Sequence, residues 1–185
     1  RDILWVQGLL DGESVNVFVN HWPSRSGGEK RSEPGRMAAA TTLRRFLDSI
    51  NIIYPHTKTI VMGDLNDDPI NNSITKGLNA HGNLKQLKKE QLYNPWVDFH
   101  KSGLGTLAYQ DSWNLFDQII ISQNWLDKKQ NGFFYYKNLI FKPEFMIESF
   151  GKYKGYPKRT YSGDVYNFGY SDHFPTYLVM LKKVQ

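Results

Sequence analysis

The sequence predicts an α/β fold of the α+β kind, with a mixed, mostly antiparallel sheet and helices on one face. Three observations point there. Val15, Val17 and Val19 alternate with Asn16, Phe18 and Asn20, which is strand periodicity. Met37, Ala40, Leu43, Leu47 and Ile50 recur at three- and four-residue spacing, which is the period of an amphipathic helix. Short apolar runs elsewhere (Ile3 to Leu10, Thr59 to Met62, Phe116 to Ser122 and Phe174 to Leu181) read as strands, so the order reads β-β-α-β-(α)-β-loop-β.

Taken in order, Ile3 to Leu10 is a strand, Asp11-Gly12 a hairpin signal, and the valine run its antiparallel partner, ending at His21. Residues 23–35 form a polar loop. Ser32 is the predicted N-cap of the helix, with Pro34 in its first turn and Pro55 beyond its end. Thr59-Ile60-Val61-Met62 is a buried-type strand running into Gly63-Asp64. Asn71-Asn72-Ser73 begins a weaker helical stretch, and residues 79–94 carry no clear period. Gly103 to Thr106 reads as a turn and Phe116 to Ser122 as a strand. Phe133 to Phe150 reads as irregular strand and loop, Gly151 to Gly169 as a loop, and Phe174 to Leu181 as the last strand. A sheet covered on one face should leave its other face apolar and in need of a partner, either a second copy or a missing segment.

At 185 residues the chain suffices for a single domain, 1–185, with a real core. An apolar fraction of 40% and mean hydropathy of −0.53 exclude a disordered chain. No apolar run approaches the roughly 20 residues of a membrane helix. Arg1 to Val6 reads as the start of a strand and not as a signal segment, so Arg1 is not expected to be a natural N-terminus. The net charge of +5 and pI near 9.2 favour anionic partners, nucleic acid among them, and serve solubility equally. Without cysteine there is neither a disulfide nor a thiolate metal site.

Four motifs carry the chemistry: Asn20-His21-Trp22, Gly63-Asp64-Leu65-Asn66-Asp67, Phe116-Asp117-Gln118 and Ser171-Asp172-His173. Each lies at one end of an apolar run, where a sheet can offer a polar side chain to a ligand. Asp64 and Asn66, two apart, point the same way in extended geometry and suit a hard cation, a water or a phosphate oxygen. Read locally, the same residues also make a turn. His173 can act as base or electrostatic stabiliser, with Asp117 as the acid that fixes its tautomer. Asp172 meets a metal or water. His21 can donate to a phosphate oxygen or a leaving group, and Arg25, Lys30, Arg31 and Arg36 in and after the polar loop are possible phosphate contacts, or merely solvated charge.

Together, Asn20-His21-Trp22-Pro23-Ser24-Arg25, Gly63-Asp64-Leu65-Asn66-Asp67, Phe116-Asp117-Gln118-Ile119 and Ser171-Asp172-His173-Phe174-Pro175 resemble, in this order, the endonuclease/exonuclease/phosphatase (DNase I-like) superfamily, bacterial and often secreted members above all. The resemblance implies a metal-dependent hydrolase of phosphate esters, first a phosphodiesterase or nuclease. The alternatives are a phosphatase or phospholipase C-like enzyme on inositol or lipid phosphates, and a catalytically incomplete phosphate-binding fragment. It implies His173 as general base oriented by Asp117, Asp64 and Asn66 on the attacking water and phosphate, His21 on the scissile phosphate, and Asp172 with Asp64 near the metal. Arg25 and Arg36 are candidate phosphate contacts. The implied cofactor is Mg²⁺, with Mn²⁺ or Ca²⁺ as substitutes, and the implied compartment is secreted or periplasmic. The superfamily fold is a four-layer sandwich of two similar halves, the N-terminal one supplying an Asn and a metal-binding Glu. The chain matches only the C-terminal half.

Overall fold

A computed structural model of the chain describes residues 1–129 and 132–183. Strands β1 (Leu4–Leu10) and β2 (Glu13–His21) form the expected hairpin, helix α1 (Glu29–Ile53) follows, and β3 (Lys58–Asp64) returns parallel to β2. Short pieces come next: a π-type turn (Ser73–Gly77), β4 (Ala80–His81), β5 (Leu92–Tyr93), α2 (Val97–Lys101), and the small hairpin of β6 (Leu107–Tyr109) and β7 (Ser112–Asn114). Strand β8 (Asp117–Ile121) completes a mixed six-stranded sheet of order β1-β2-β3-β8-β5-β4. The chain ends with β9 (Gly132–Ile140), a two-plus-two-residue hairpin of β10 (Tyr161–Ser162) and β11 (Val165–Tyr166), and β12 (Thr176–Lys183), which pairs antiparallel with β9.

Alternation along the strands assigns the two faces of the sheet. Phe18 and Val61 lie under α1, where Ala40, Leu43, Leu47 and Ile50 pack on them, and Ile74 of the π-type turn with Leu78 just after it closes the cluster. Each fully buried Leu or Ile contributes roughly 1.5–3 kcal/mol, so this apolar stripe fixes α1 on the sheet. On the opposite face Val15, Val17, Ile60 and Ile121 meet Phe133, Tyr135, Leu178 and Met180 of the β9–β12 pair. That second face is therefore partly covered by a second, smaller sheet. It stays open towards β1, where Leu4, Val6 and Val19 remain exposed and apolar. The short helix α2 sends Phe99 to the same side, so helices on one face describes α1 and the π-type turn only.

Two local expectations are corrected. Helix α1 begins one turn before Ser32, at Glu29 after Gly28, and Pro34 lies inside it. The N–H that Pro34 lacks would have bonded the carbonyl of Lys30, an exposed residue in the first turn, so little is lost. Ser32 does not cap; its Oγ donates to the carbonyl of Gly28. The aromatic stretch from Phe133 is a regular strand with one bulge opposite Val179 and Met180, its period obscured because both of its faces carry aromatics.

Candidate active site

The site is built by register. His21 of β2 is the cross-strand partner of Asp64 of β3, and Asp64 is the partner of Asp117 of β8. Three neighbouring strands thus present three candidate site side chains in one row, on the face towards β9 and β12. The row exists because β2 and β3 approach very closely at their ends. A Cβ on Gly63 would lie 1.9 Å from the carbonyl oxygen of Asn20, and Gly63 has φ +131°. Only glycine fits there. The close approach lets the Trp22 amide donate to the Asp64 carbonyl at 3.0 Å. Asn20 and Trp22 are framework: Asn20 is buried, and its Oδ1 accepts from Trp22 Nε1 at 3.0 Å.

The fourth group comes from the segment leading into β12. His173 Nδ1 lies 2.7 Å from Asp117 Oδ2. A carboxylate only accepts, so Nδ1 carries the hydrogen and Nε2 is the free, basic nitrogen. Thr106 Oγ1 donates to the same Asp117 oxygen at 2.6 Å, and the Phe174 amide donates to the Thr106 carbonyl at 2.7 Å. Thr106 therefore braces both partners of the dyad. Sequence reasoning assigned it only to a turn, and no pattern in the sequence marks it.

Charge follows geometry. Burial pushes the Asp64 carboxyl up, the Asp117 carboxylate beside it adds to this, and the Asn66 amide partly offsets both. For His173, burial acts downward, but the hydrogen bond and charge of Asp117, with Asp64 and Asp172, leave the imidazole above its ordinary value. His21 Nε2 stands 3.4 Å from Asp64 Oδ2, its side chain 58% exposed. Asp64, Asp117 and His173 each offer a ligand atom within 4.8 Å of the others. Two crowded carboxylates, one of them resisting ionisation, suit a hard divalent cation that would relieve their repulsion. Asp64 and the unpaired oxygen of Asp117 would hold it, with the free Nε2 of His173 as the third ligand atom on offer. Asp172 lies outside this group, exposed at the site margin, where it adds charge near His173.

Three expectations are corrected here. Asn66 does not continue the strand: it has φ +52°, and its amide donates to Asp64 Oδ1 at 2.9 Å while its Nδ2 donates to the Trp22 carbonyl. Its buried side chain braces the loop instead of pointing with Asp64. Arg36 is fully buried, paired with Asp67 at 2.8 Å and donating to Ser32 and Glu29, so a substrate phosphate does not reach it. Arg25 is likewise committed, to Asn66, Glu29, Asp67, Asp68 and Asn71.

A carboxylate–imidazole site at the strand ends of a two-sheet α/β fold defines the class of the protein. Its sequence matches the Endonuclease/Exonuclease/phosphatase family over residues 1–182, and the chain belongs to that family. The fold is DNase I-like. Similar solved structures include beta toxin from Staphylococcus aureus (18% identity, TM-score 0.53, 98% of this chain and 57% of that one). A humanized D. rerio TDP2 gives 16% identity and a TM-score of 0.56 over 97% of this chain and 60% of its own. A mannosyl-6-phosphatase from Bacteroides thetaiotaomicron gives 14% and 0.53 over 92% and 52%. These are likenesses of fold, and the chain spans little more than half of each. Comparison with curated proteins gives no match.

Proposed function

We propose that the chain carries the catalytic half-site of a metal-dependent phosphoester hydrolase. The observation that supports this most is the row of His21, Asp64 and Asp117 with His173 held over it by Asp117. His173 Nε2 takes a proton from water as that water attacks phosphorus in line with the leaving oxygen, with no covalent enzyme intermediate. Asp117 holds the imidazole in the basic tautomer and stabilises its charge. Asp64 orients the water, and the exposed His21 donates to a phosphate oxygen. A bound Mg²⁺, or Mn²⁺ in its place, would neutralise charge on the phosphate. Such a site works by positioning and charge.

A phosphodiester, nucleic acid first, is the leading substrate class, from the +5 net charge. One structural neighbour, a D. rerio TDP2, is described in complex with a single-strand DNA product (TM-score 0.55, 16% identity). The test is hydrolysis of a diester and monoester panel with Mg²⁺ or Mn²⁺, with Asp64→Ala and His173→Ala as controls. Absence of turnover, or turnover indifferent to both substitutions, rejects the proposal. The incomplete phosphate-binding fragment is then left standing.

A specific observation favours a second reading, lipid phosphates. The β10–β11 hairpin and its flank expose Tyr161, Val165, Tyr166 and Phe168, with Phe168 75% exposed. Tyr166 and Phe168 pack edge to face with ring centres 4.6 Å apart, and Lys158 and Arg159 precede them. This is an apolar hairpin close in sequence to His173. Tyr161→Ser with Phe168→Ser should reduce phospholipid-vesicle binding and leave hydrolysis of a soluble ester unchanged. Equal vesicle binding by the variant rejects the lipid reading. The open apolar end of the sheet, at Leu4, Val6 and Val19, is where we expect a second copy or further chain to pack; a monomer by light scattering rejects the second copy.

A further inference from the structure

We propose that Arg25 is a positioning residue for this site, a clamp that holds three of the four motifs in place without touching substrate. This rests on the phosphoester reading above. Arg25 Nε donates to the Asn66 carbonyl at 3.0 Å, Nη1 to Glu29 at 3.1 Å, and Nη2 to Asp67, Asp68 and Asn71, each at 3.2 Å. The guanidinium lies 4.4 Å from the centre of the Phe116 ring. Of its five hydrogens, Nε and both on Nη2 are engaged, and its charge faces Asp67 and Asp68. With one Nη1 hydrogen given to Glu29, what remains for a phosphate is the second N–H of Nη1.

The clamp acts through the loop it grips. Asn66 sits at φ +52°, a left-handed conformation that costs a non-glycine residue roughly 1–3 kcal/mol and persists only where neighbours over-determine it. Arg25 grips the carbonyl of Asn66, and the amide of Asn66 pins Asp64 Oδ1, which leaves Oδ2 turned to His21. On the other side, Phe116 beneath the guanidinium immediately precedes Asp117. Asp68 Oδ1 accepts from the Leu115 amide at 2.7 Å, and the Phe116 carbonyl accepts from Leu65 at 2.9 Å. The loop after β2, the loop after β3 and the start of β8 therefore meet at one side chain. Lysine cannot replace it, since a single ammonium neither forks to these acceptors nor stacks on the ring.

The test is Arg25→Lys in the full chain, assayed on bis(p-nitrophenyl) phosphate with Mg²⁺, together with amide hydrogen exchange at Asn66. A displacement near 1 Å can cost about 10²-fold in rate, so kcat should fall about 10²-fold with KM changed less than about threefold, and Asn66 exchange should quicken about tenfold or more. Phe116→Leu keeps the hydrogen bonds and removes the platform; it should give a smaller loss, again in kcat. It decides by the same split if Arg25→Lys does not fold. A raised KM at retained kcat makes Arg25 a substrate contact and overturns the clamp, as do wild-type kinetics in both variants. If the wild type hydrolyses nothing, the phosphoester reading fails instead. The exchange measurement then decides alone, and an unchanged Asn66 amide overturns the clamp.

Discussion

His173 and Asp117 join two sheets through one hydrogen bond of 2.7 Å: Asp117 opens a strand of the six-stranded sheet, and His173 stands just before the strand that pairs with β9. The proposed base and its orienting acid therefore meet only when the two sheets are docked.

Replacing Asp117 with Asn keeps the shape but lets the side chain offer a donor to Nδ1, which favours the wrong tautomer. The loss in kcat/KM should be about 10²–10⁴-fold, the usual worth of one general base. Thr106→Val removes one brace from the same oxygen and should cost about tenfold. Steady-state kinetics on any ester the wild type turns over checks both.

Because His173 must be neutral to accept a proton, activity should rise with pH, with a midpoint above the free imidazole value of 6.5. In Asp117→Asn the midpoint should move down. The same shift has a stability sign. A folded value raised above the unfolded one means that protonated His173 stabilises the fold. That contribution is full below the unfolded value and is lost as pH rises through the folded one. Chemical denaturation across this window, compared with His173→Gln, reads it directly.

Asp64→Asn should abolish hydrolysis yet raise the melting temperature at neutral pH. The Asp64 carboxyl is pushed up by burial and by Asp117, so its ionised form burdens the native state above the unfolded carboxyl value, and the burden lifts as pH falls. Calorimetry should therefore show an advantage for the variant that shrinks on acidification. A lower melting temperature at pH 7 contradicts the assignment.

Gly63→Ala sets a methyl against the Asn20 carbonyl, where 1.9 Å is available, on a backbone at φ +131°. Overpacking alone costs about 1–3 kcal/mol, and the strained backbone adds to it. Urea unfolding should show that loss, and kcat should fall with it because Asp64 is the next residue.

The parts of the site that were legible in the sequence are those that obey a local period. Strand alternation put His21, Asp64 and Asp117 at strand ends, and helical spacing marked Ala40, Leu43, Leu47 and Ile50, all of them buried. The parts that escaped depend on partners far along the chain. Arg25 and Arg36 look like solvated loop charges until residues more than 30 positions away neutralise them. For Asn66 the extended and the turn readings stand side by side in the sequence, and nothing local reveals that Trp22 and Arg25 hold it left-handed. Thr106 sits in a turn and acts on partners 11 and 68 positions away, Asp117 and Phe174, which no local pattern marks. The second sheet was hidden by β9, whose two apolar faces erase the period that marks a half-buried strand.

The row of His21, Asp64 and Asp117 has a further consequence. Strand side chains alternate, so slipping β8 by one residue against β3 would turn Asp117 to the α1 side and bring Phe116 or Gln118 beside Asp64. A misregistered molecule could keep much of its secondary structure while holding no dyad. If the proposed hydrolysis holds, turnover per molecule counts correctly threaded sheets, and a refolded preparation can be graded by specific activity before any spectrum is taken.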